Sequence, residues 1–230
     1  MSDGRLRCWG KNDHGQVGRG SGRFYSVPVE VPTLTNVTAV SAGGDFTCAV
    51  TAAGRAWCWG YGADGELGVG TTYDSPRPLE VQGITTATAI GAGAYHACAV
   101  VATDAVKCWG FGSQGQLGNG GTATSYTPVA VTGTLNALTG ISSGLYGTCA
   151  TRTTASPVCW GSHGGAAAPT SATVESFGGN VTAIALARMS DTTCALRSDA
   201  RVLCMGQGAS GQIGHGTFAA STGAAREVVR

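Results

Sequence analysis

The residues of this 230-residue chain best suited to chemistry are its nine cysteines. Eight of them pair at a spacing of ten: Cys48 with Cys58, Cys98 with Cys108, Cys149 with Cys159, and Cys194 with Cys204, leaving Cys8 alone. Thiols at fixed spacing can bind a metal, act as nucleophiles or cross-link the chain. Zinc sites usually draw on close Cys-x-x-Cys pairs, and the sequence has none. A turn centred on Ala53 would set Cys48 opposite Cys58 on antiparallel strands. Facing Cα atoms there lie about 4.5 or 5.5 Å apart, inside the disulfide window of about 4.4–6.8 Å. The expectation is four structural disulfides, each closing a short hairpin and contributing roughly 2–3 kcal/mol in the loop-entropy model. Reduced core thiols of a cytosolic protein are the competing reading. Cys8 has no cysteine ten residues upstream and is expected to be a reactive free thiol.

Other chemistry is sparse. Gly60-Tyr61-Gly62-Ala63-Asp64-Gly65, Gly110-Phe111-Gly112-Ser113-Gln114-Gly115 and Gly206-Gln207-Gly208-Ala209-Ser210-Gly211 all fit the dinucleotide pattern G-x-G-x-x-G. A phosphate-binding copy must open a helix inside a strand–helix–strand unit; no helical period follows any of these, so they read as turns. Asp13 and His14 are turn neighbours, and His96, two residues before Cys98, reads as a structural turn residue rather than a base. No catalytic constellation, metal site or cofactor is expected. Asn36-Val37-Thr38 and Asn180-Val181-Thr182 fit the glycosylation sequon but open strands.

The elements that position these residues form a repeat. Cys-Trp-Gly recurs at Cys8, Cys58, Cys108 and Cys159, with Cys-Met-Gly at Cys204, in steps of 50, 50, 51 and 45 residues. Such a period marks an array of similar units, here approximately 8–57, 58–107, 108–158, 159–203 and a partial 204–230. With 38 glycines and 12% charged residues the composition argues for an all-β chain with many tight turns. Val37–Gly43, Phe46–Val50 and Ala56–Trp59 read as three strands, the last two joined by a glycine-containing turn. A Gly-Gln-Leu-Gly-like connection follows, as in Gln114-Gly115-Gln116-Leu117-Gly118, whose apolar residue would plug the gap between units. A Pro-bounded outer strand such as Pro78-Leu79-Glu80-Val81 completes four strands in about 50 residues, one propeller blade.

Trp59-Gly60, Gly115-Gln116-Leu117-Gly118 and Ala42-Gly43-Gly44, recurring in order, resemble the repeats of the regulator-of-chromosome-condensation family. After Cys159-Trp160-Gly161 the pattern departs, Ser162-His163-Gly164-Gly165-Ala166-Ala167-Ala168 replacing the Gly-Gln-Leu-Gly element, so a degenerate blade is expected there. The resemblance implies a β-propeller, complete at seven blades; about four to five fit in residues 1–230, read as a single repeat domain. Aligning Gly4-Arg5 with Gly54-Arg55 puts Met1 at the start of a hairpin turn, so the partner of Cys8 would precede it, and Arg226-Glu227-Val228-Val229 reads as an outer strand whose inner strands are missing. The expectation is a fragment of a longer protein.

Fourteen basic against thirteen acidic residues, with no basic stripe, argue against a nucleic-acid partner. No apolar run is long enough to span a bilayer. The cysteine pairs favour an extracellular, periplasmic or cell-surface location, although Met-Ser-Asp-Gly-Arg-Leu-Arg is no signal peptide. Asp45, Phe46, Tyr95, His96 and Tyr146 are expected in the turns between second and third strands, clustered around the axis. Tyr25, Tyr73 and Tyr126 precede outer strands and are expected to ring the periphery. Aromatic side chains on rigid loops suit protein recognition. The leading expectation is a non-catalytic secreted or surface scaffold that binds a protein; among bacterial propellers of the resembled family, a β-lactamase inhibitor is the functional precedent. Alternatives are guanine-nucleotide exchange on a small GTPase, and a hydrolase or lyase with a channel site, although the small Ala, Ser, Gly and Ile residues of the innermost strands make poor catalysts.

Alkylation of the unfolded, unreduced protein from its native source, read by mass spectrometry, tests the cysteine reading. Linked peptides such as Cys48–Cys58 with at most one free thiol are expected. Nine free thiols would sink the extracellular reading and favour the intracellular exchange factor.

Overall fold

The computed structural model describes residues 4–102, 104–153, 156–164, 170–175 and 177–229. These residues form eighteen strands and no helix. Strands β1 (Arg7–Lys11) and β2 (Phe24–Glu30) make a two-stranded sheet. Then come four four-stranded antiparallel sheets. The first contains β3 (Val37–Ala42), β4 (Phe46–Thr51), β5 (Ala56–Gly60) and β6 (Ser75–Glu80). The second contains β7 (Ala87–Ala92), β8 (His96–Val101), β9 (Ala105–Gly110) and β10 (Ser125–Ala130). The third contains β11 (Leu138–Ser143), β12 (Tyr146–Arg152), β13 (Val158–Ser162) and β14 (Thr173–Val174). The fourth contains β15 (Val181–Leu186), β16 (Thr193–Arg197), β17 (Val202–Gly206) and β18 (Ser221–Glu227). The architecture is a partial β-propeller.

Each sheet is a meander, its inner strand paired with a second, the second with a third and the third with an outer strand. The sheet boundary therefore falls after the outer strand, and a stretch from one Cys-Trp-Gly to the next joins the third strand of one sheet to the second of the following one. This phase corrects the reading of the C-terminal segment. Arg226 and Glu227 belong to β18, which pairs with β17 in a sheet whose inner strands are all present.

The second and third strands carry the packing. In β4 and β8 five of six residues are buried, because each sheet is sandwiched between neighbours and both faces are covered. That explains why Phe46-Thr47-Cys48-Ala49-Val50 does not alternate as a half-solvated strand would. Cys48↔Cys58, Cys98↔Cys108, Cys149↔Cys159 and Cys194↔Cys204 are direct cross-strand partners. All four are disulfide-bonded with Cα atoms 4.1 Å apart, on the close-pair side of the antiparallel ladder.

Adjacent sheets are locked together by one recurring contact. The indole N–H of Trp59 donates to the Gln16 carbonyl at 2.8 Å, that of Trp109 to Glu66 at 2.8 Å, and that of Trp160 to Gln116 at 3.0 Å. Each carbonyl belongs to the Gly-Gln-Leu-Gly-like loop of the preceding sheet. The apolar residue of that loop (Val17, Leu67, Leu117 or Ile213) is buried, as its role as a plug required. The closing glycine lets the indole approach: at Gly68, with φ +67°, a Cβ would stand 2.9 Å from the Trp109 ring. All three locked tryptophans are fully buried, whereas Trp9, on β1, is exposed.

The departures from the repeat fall on this same contact. Beyond Gly161 the loop motif is lost, and the next sheet carries Met205 where the others carry tryptophan. Met205 is buried and packs on Gly164. A thioether adapts to an irregular gap without a donor to satisfy, so loss of the loop motif and loss of the indole go together. The outer strand of that degenerate sheet, β14, is only two residues long. The expected replacement segment continues through Gly165–Ala168, which lies outside the described residues.

Trp109→Phe keeps an aromatic ring, smaller than the indole, and deletes the donor, leaving the Glu66 carbonyl without its indole partner. Thermal or urea unfolding is expected to show a loss of about 1–3 kcal/mol, while Trp9→Phe, at an exposed site, changes stability by less than about 0.5 kcal/mol.

Candidate binding face

The site is built where each inner strand turns into the second, which corrects the expected placement of these turns between second and third strands. These turns are Gly43–Asp45, Gly93–Tyr95 and Gly144-Leu145, with a longer one over residues 187–192 in the fourth sheet. A chain of backbone hydrogen bonds joins them: Gly44 N–H to Gly93 O at 3.1 Å, Ala94 N–H to Gly144 O at 3.0 Å, and Leu145 N–H to Ala187 O at 3.0 Å. The backbones lie so close that a Cβ on Gly93 would run into the Gly144 carbonyl. Side chains one residue further on are thereby held in fixed relation across sheets.

Strand alternation splits the residues expected here into two sets. Asp45, Tyr95 and Tyr146 stand three residues before their cysteines and reach the surface or lie half-buried. Phe46 and His96 stand one residue later and point the other way. This corrects their assignment to an exposed face: Phe46 is 2% and His96 0% exposed. His96 Nε2 meets Thr148 Oγ1 at 2.8 Å, and Thr148 Oγ1 meets Ser143 Oγ at 3.1 Å, a buried polar link between the second and third sheets. Burial pushes the His96 pKa down to about 3, so the ring is neutral and structural.

Tyr95 and Tyr146 do come together. Their rings stack with centroids 5.9 Å apart and planes at 19°. Phe111 joins them at 6.2 Å from Tyr95 and 6.3 Å from Tyr146. Sequence reasoning missed Phe111 as a site residue because it sits inside a G-x-G-x-x-G match. The signal was its place directly after Cys-Trp-Gly, where its N–H bonds the Tyr95 carbonyl at 2.9 Å. Asp45 is drawn away from this patch, its Oδ1 accepting from Lys11 Nζ and Gln16 Nε2, both at 3.0 Å. The outer tyrosines do not gather into a ring-to-ring cluster. Tyr25 and Tyr126 lie within outer strands and Tyr73 just ahead of one, and no ring contact links them among the described residues.

The longer turn adds two residues that the sequence did not single out. Met189 is 89% exposed. Arg188 reaches from the fourth sheet to the second, its Nε donating to the Ala92 carbonyl at 3.2 Å. The spacing carried a signal: eight residues separate Val40, Ile90 and Ile141 from their cysteines, but ten separate Ile184 from Cys194.

Several catalytic or ligand readings find no support in the geometry. Gly140-Ile141-Ser142-Ser143-Gly144 fits a nucleophile-elbow pattern, but the serine lies in or beside β11 and Ser142 Oγ accepts the Leu186 N–H at 3.1 Å. The G-x-G-x-x-G segments open loops, not helices. Cys149, Cys159 and His163 lie close enough to suggest a metal site, yet the sulfurs are bonded to each other and His163 faces the Gly161 carbonyl and Glu175. Cys8 is half-buried, and burial raises its thiol to about 11. It is therefore a poor nucleophile near neutrality, which corrects the expectation of a reactive thiol.

With this geometry in place, sequence comparison assigns the family. The model of the regulator of chromosome condensation (RCC1) repeat matches residues 3–50, 53–100 and 105–151. The chain belongs to this repeat family. A second model with the same description matches residues 37–66 and 87–116. No curated protein sequence matches the chain significantly. Among solved structures, yeast RCC1 (Prp20), crystallised with Kap60, superposes with TM-score 0.85 at 16% identity over 99% of this chain and 57% of its own. Prp20p from Saccharomyces cerevisiae, described with its binding to Gsp1p and histones, gives 0.84 at 17% identity, covering 99% and 59%. Human WBSCR16 gives 0.83 at 18% identity, covering 96% and 61%. The likeness is one of fold, and the chain spans about three fifths of these proteins' length.

Beneath the face, Glu66 stands where the other loops carry Gln16, Gln116 and Gln212. It is fully buried; Oε2 accepts the Asp64 N–H at 2.9 Å and Oε1 has no partner among the described residues. Burial raises its pKa from the ordinary 4.5 to about 8. The folded state thus holds a proton that the unfolded state releases, so stability is full below about pH 4.5 and is lost as pH rises through about 8. Glu66→Gln is expected to leave stability nearly unchanged at pH 4 and to stabilise increasingly above it, by up to about 1.4 kcal/mol per pH unit until about pH 8. Thermal unfolding from pH 4 to 9 checks this; parallel curves would contradict the buried neutral carboxyl.

Proposed function

We infer that this propeller is a non-catalytic scaffold that binds another protein through the face bearing Tyr95, Phe111 and Tyr146. The observation that carries the reading is that stacked, partly exposed aromatic cluster on turns fixed by inter-sheet hydrogen bonds and by disulfides in the strands behind them. Rigid aromatics give contact area with little entropy left to lose on binding. The inner strands support a non-enzymatic role. Strands β3, β7, β11 and β15 contain no titratable side chain. Their threonine hydroxyls are spent within the sheets, Thr38 on Val50, Thr88 on Val100 and Thr182 on Leu196.

The four cysteine pairs at bonding geometry fit an oxidising compartment, and we assign the protein to the cell exterior, periplasm or cell surface. No helix among the described residues is long and apolar enough to cross a membrane. Relatives of this fold are described in complexes or binding studies with proteins, which is compatible with a scaffold role without naming the partner.

Chemical cross-linking of the protein to the extracellular fraction of its source organism, followed by mass spectrometry, tests the reading. A Tyr95→Ser/Tyr146→Ser variant is expected to lose the specific partner, and Tyr73→Ser, an exposed peripheral control, to keep it. A partner retained equally by all three chains would remove this face from the function.

A further inference from the structure

Arg188 is the cation of this face for which the described residues offer no acid. Among the described residues no carboxylate lies within salt-bridge distance, and the one hydrogen bond of its side chain runs from Nε to the Ala92 carbonyl. That bond fixes the guanidinium at the axial mouth. Ala92 leads directly into Gly93-Ala94-Tyr95, and the Ala187 carbonyl beside Arg188 binds the Leu145 N–H, next to Tyr146. Arg188 is thus tied to both tyrosine-bearing turns, with its four Nη–H donors left over.

The neighbouring acids do not pair with Arg188. Asp45 pairs with Lys11, and Asp191 Oδ2 accepts from Ser162 Oγ at 3.3 Å while its buried Oδ1 has no partner among the described residues. Arg188 is exposed, and the partial burial of its side chain lowers its pKa. A guanidinium so placed presents a planar fork suited to a carboxylate. A phosphate-rich ligand would want several cations, and among the described residues of this face the other cation, Lys11, is already paired with Asp45.

We propose that the face recognises a protein loop in which an Asp or Glu lies beside an apolar or aromatic residue. The carboxylate pairs with the Nη groups of Arg188, and the apolar side chain lies on Tyr95, Phe111 and Tyr146. This inference rests on the binding-face reading above and adds the chemistry of the partner.

The test uses the full 230-residue chain and a phage library of disulfide-constrained random loops. Enriched loops are expected to share an acidic residue next to an aromatic or large aliphatic one. Their affinity is expected to fall about tenfold or more in Arg188→Gln, with an unchanged unfolding temperature showing that the fold is intact. Selection against Arg188→Glu is expected to replace the acidic position by Lys or Arg. An apolar consensus without an acid, lost in Tyr95→Ser/Tyr146→Ser but indifferent to Arg188→Gln, would overturn the carboxylate inference and leave the binding face standing. Loops indifferent to the tyrosines as well would overturn both. Release of bound loops by inorganic phosphate but not by acetate would assign Arg188 to a phosphoryl ligand and also overturn the inference.

Discussion

The hydrogen bond from a tryptophan indole to the loop carbonyl of the preceding sheet is the contact on which this architecture turns. A four-stranded meander has two apolar faces and cannot bury either alone. Stacking buries them, but packing of small residues such as Ala49, Ala97 and Ala99 fixes no particular register between sheets. A planar, fully buried indole with a single donor that must be satisfied does so. The loop glycines follow from it, because a Cβ at Gly68 would displace the ring. So does the paired loss of motif and tryptophan at Met205: one half of the lock has no value without the other.

The disulfides work in a different direction. They join the second and third strands within a sheet, the two strands with the least solvent contact, and leave the relation between sheets to the tryptophans. A hairpin cross-link restrains the unfolded chain locally, and four of them suit a chain whose glycine content makes the unfolded state unusually free. Burial favours the thiol form of Cys8, the free cysteine among the described residues.

Rigidity of the stack is what gives the axial face its character. Turns that hydrogen-bond in series hold Tyr95, Phe111 and Tyr146 at stacking distance, and the lengthened turn of the fourth sheet brings Arg188 back across to the second. The inner strands beneath are nearly free of ionisable groups, because strands converging on an axis favour small side chains. The face combines the aromatic side chains of Tyr95, Phe111 and Tyr146 with Arg188, above inner strands that carry no titratable side chain.

The period, the strand order within a blade and the cysteine pairing were legible in the sequence, since each follows from local spacing. A turn of fixed length places Cys48 opposite Cys58, and a Gly-Gln-Leu-Gly loop recurs wherever a tryptophan must be received. Which residues of a turn look outward was not legible from proximity alone. Phe46 and His96 differ from Asp45 and Tyr95 by one position, and the pleat sends them into the core. The register between sheets lay further out of reach. The stacking of Tyr95 on Tyr146 and the bond from Arg188 to Ala92 join residues 51 and 96 positions apart. Those meetings depend on the angle at which successive sheets pack, which no local spacing encodes and only the assembled stack decides.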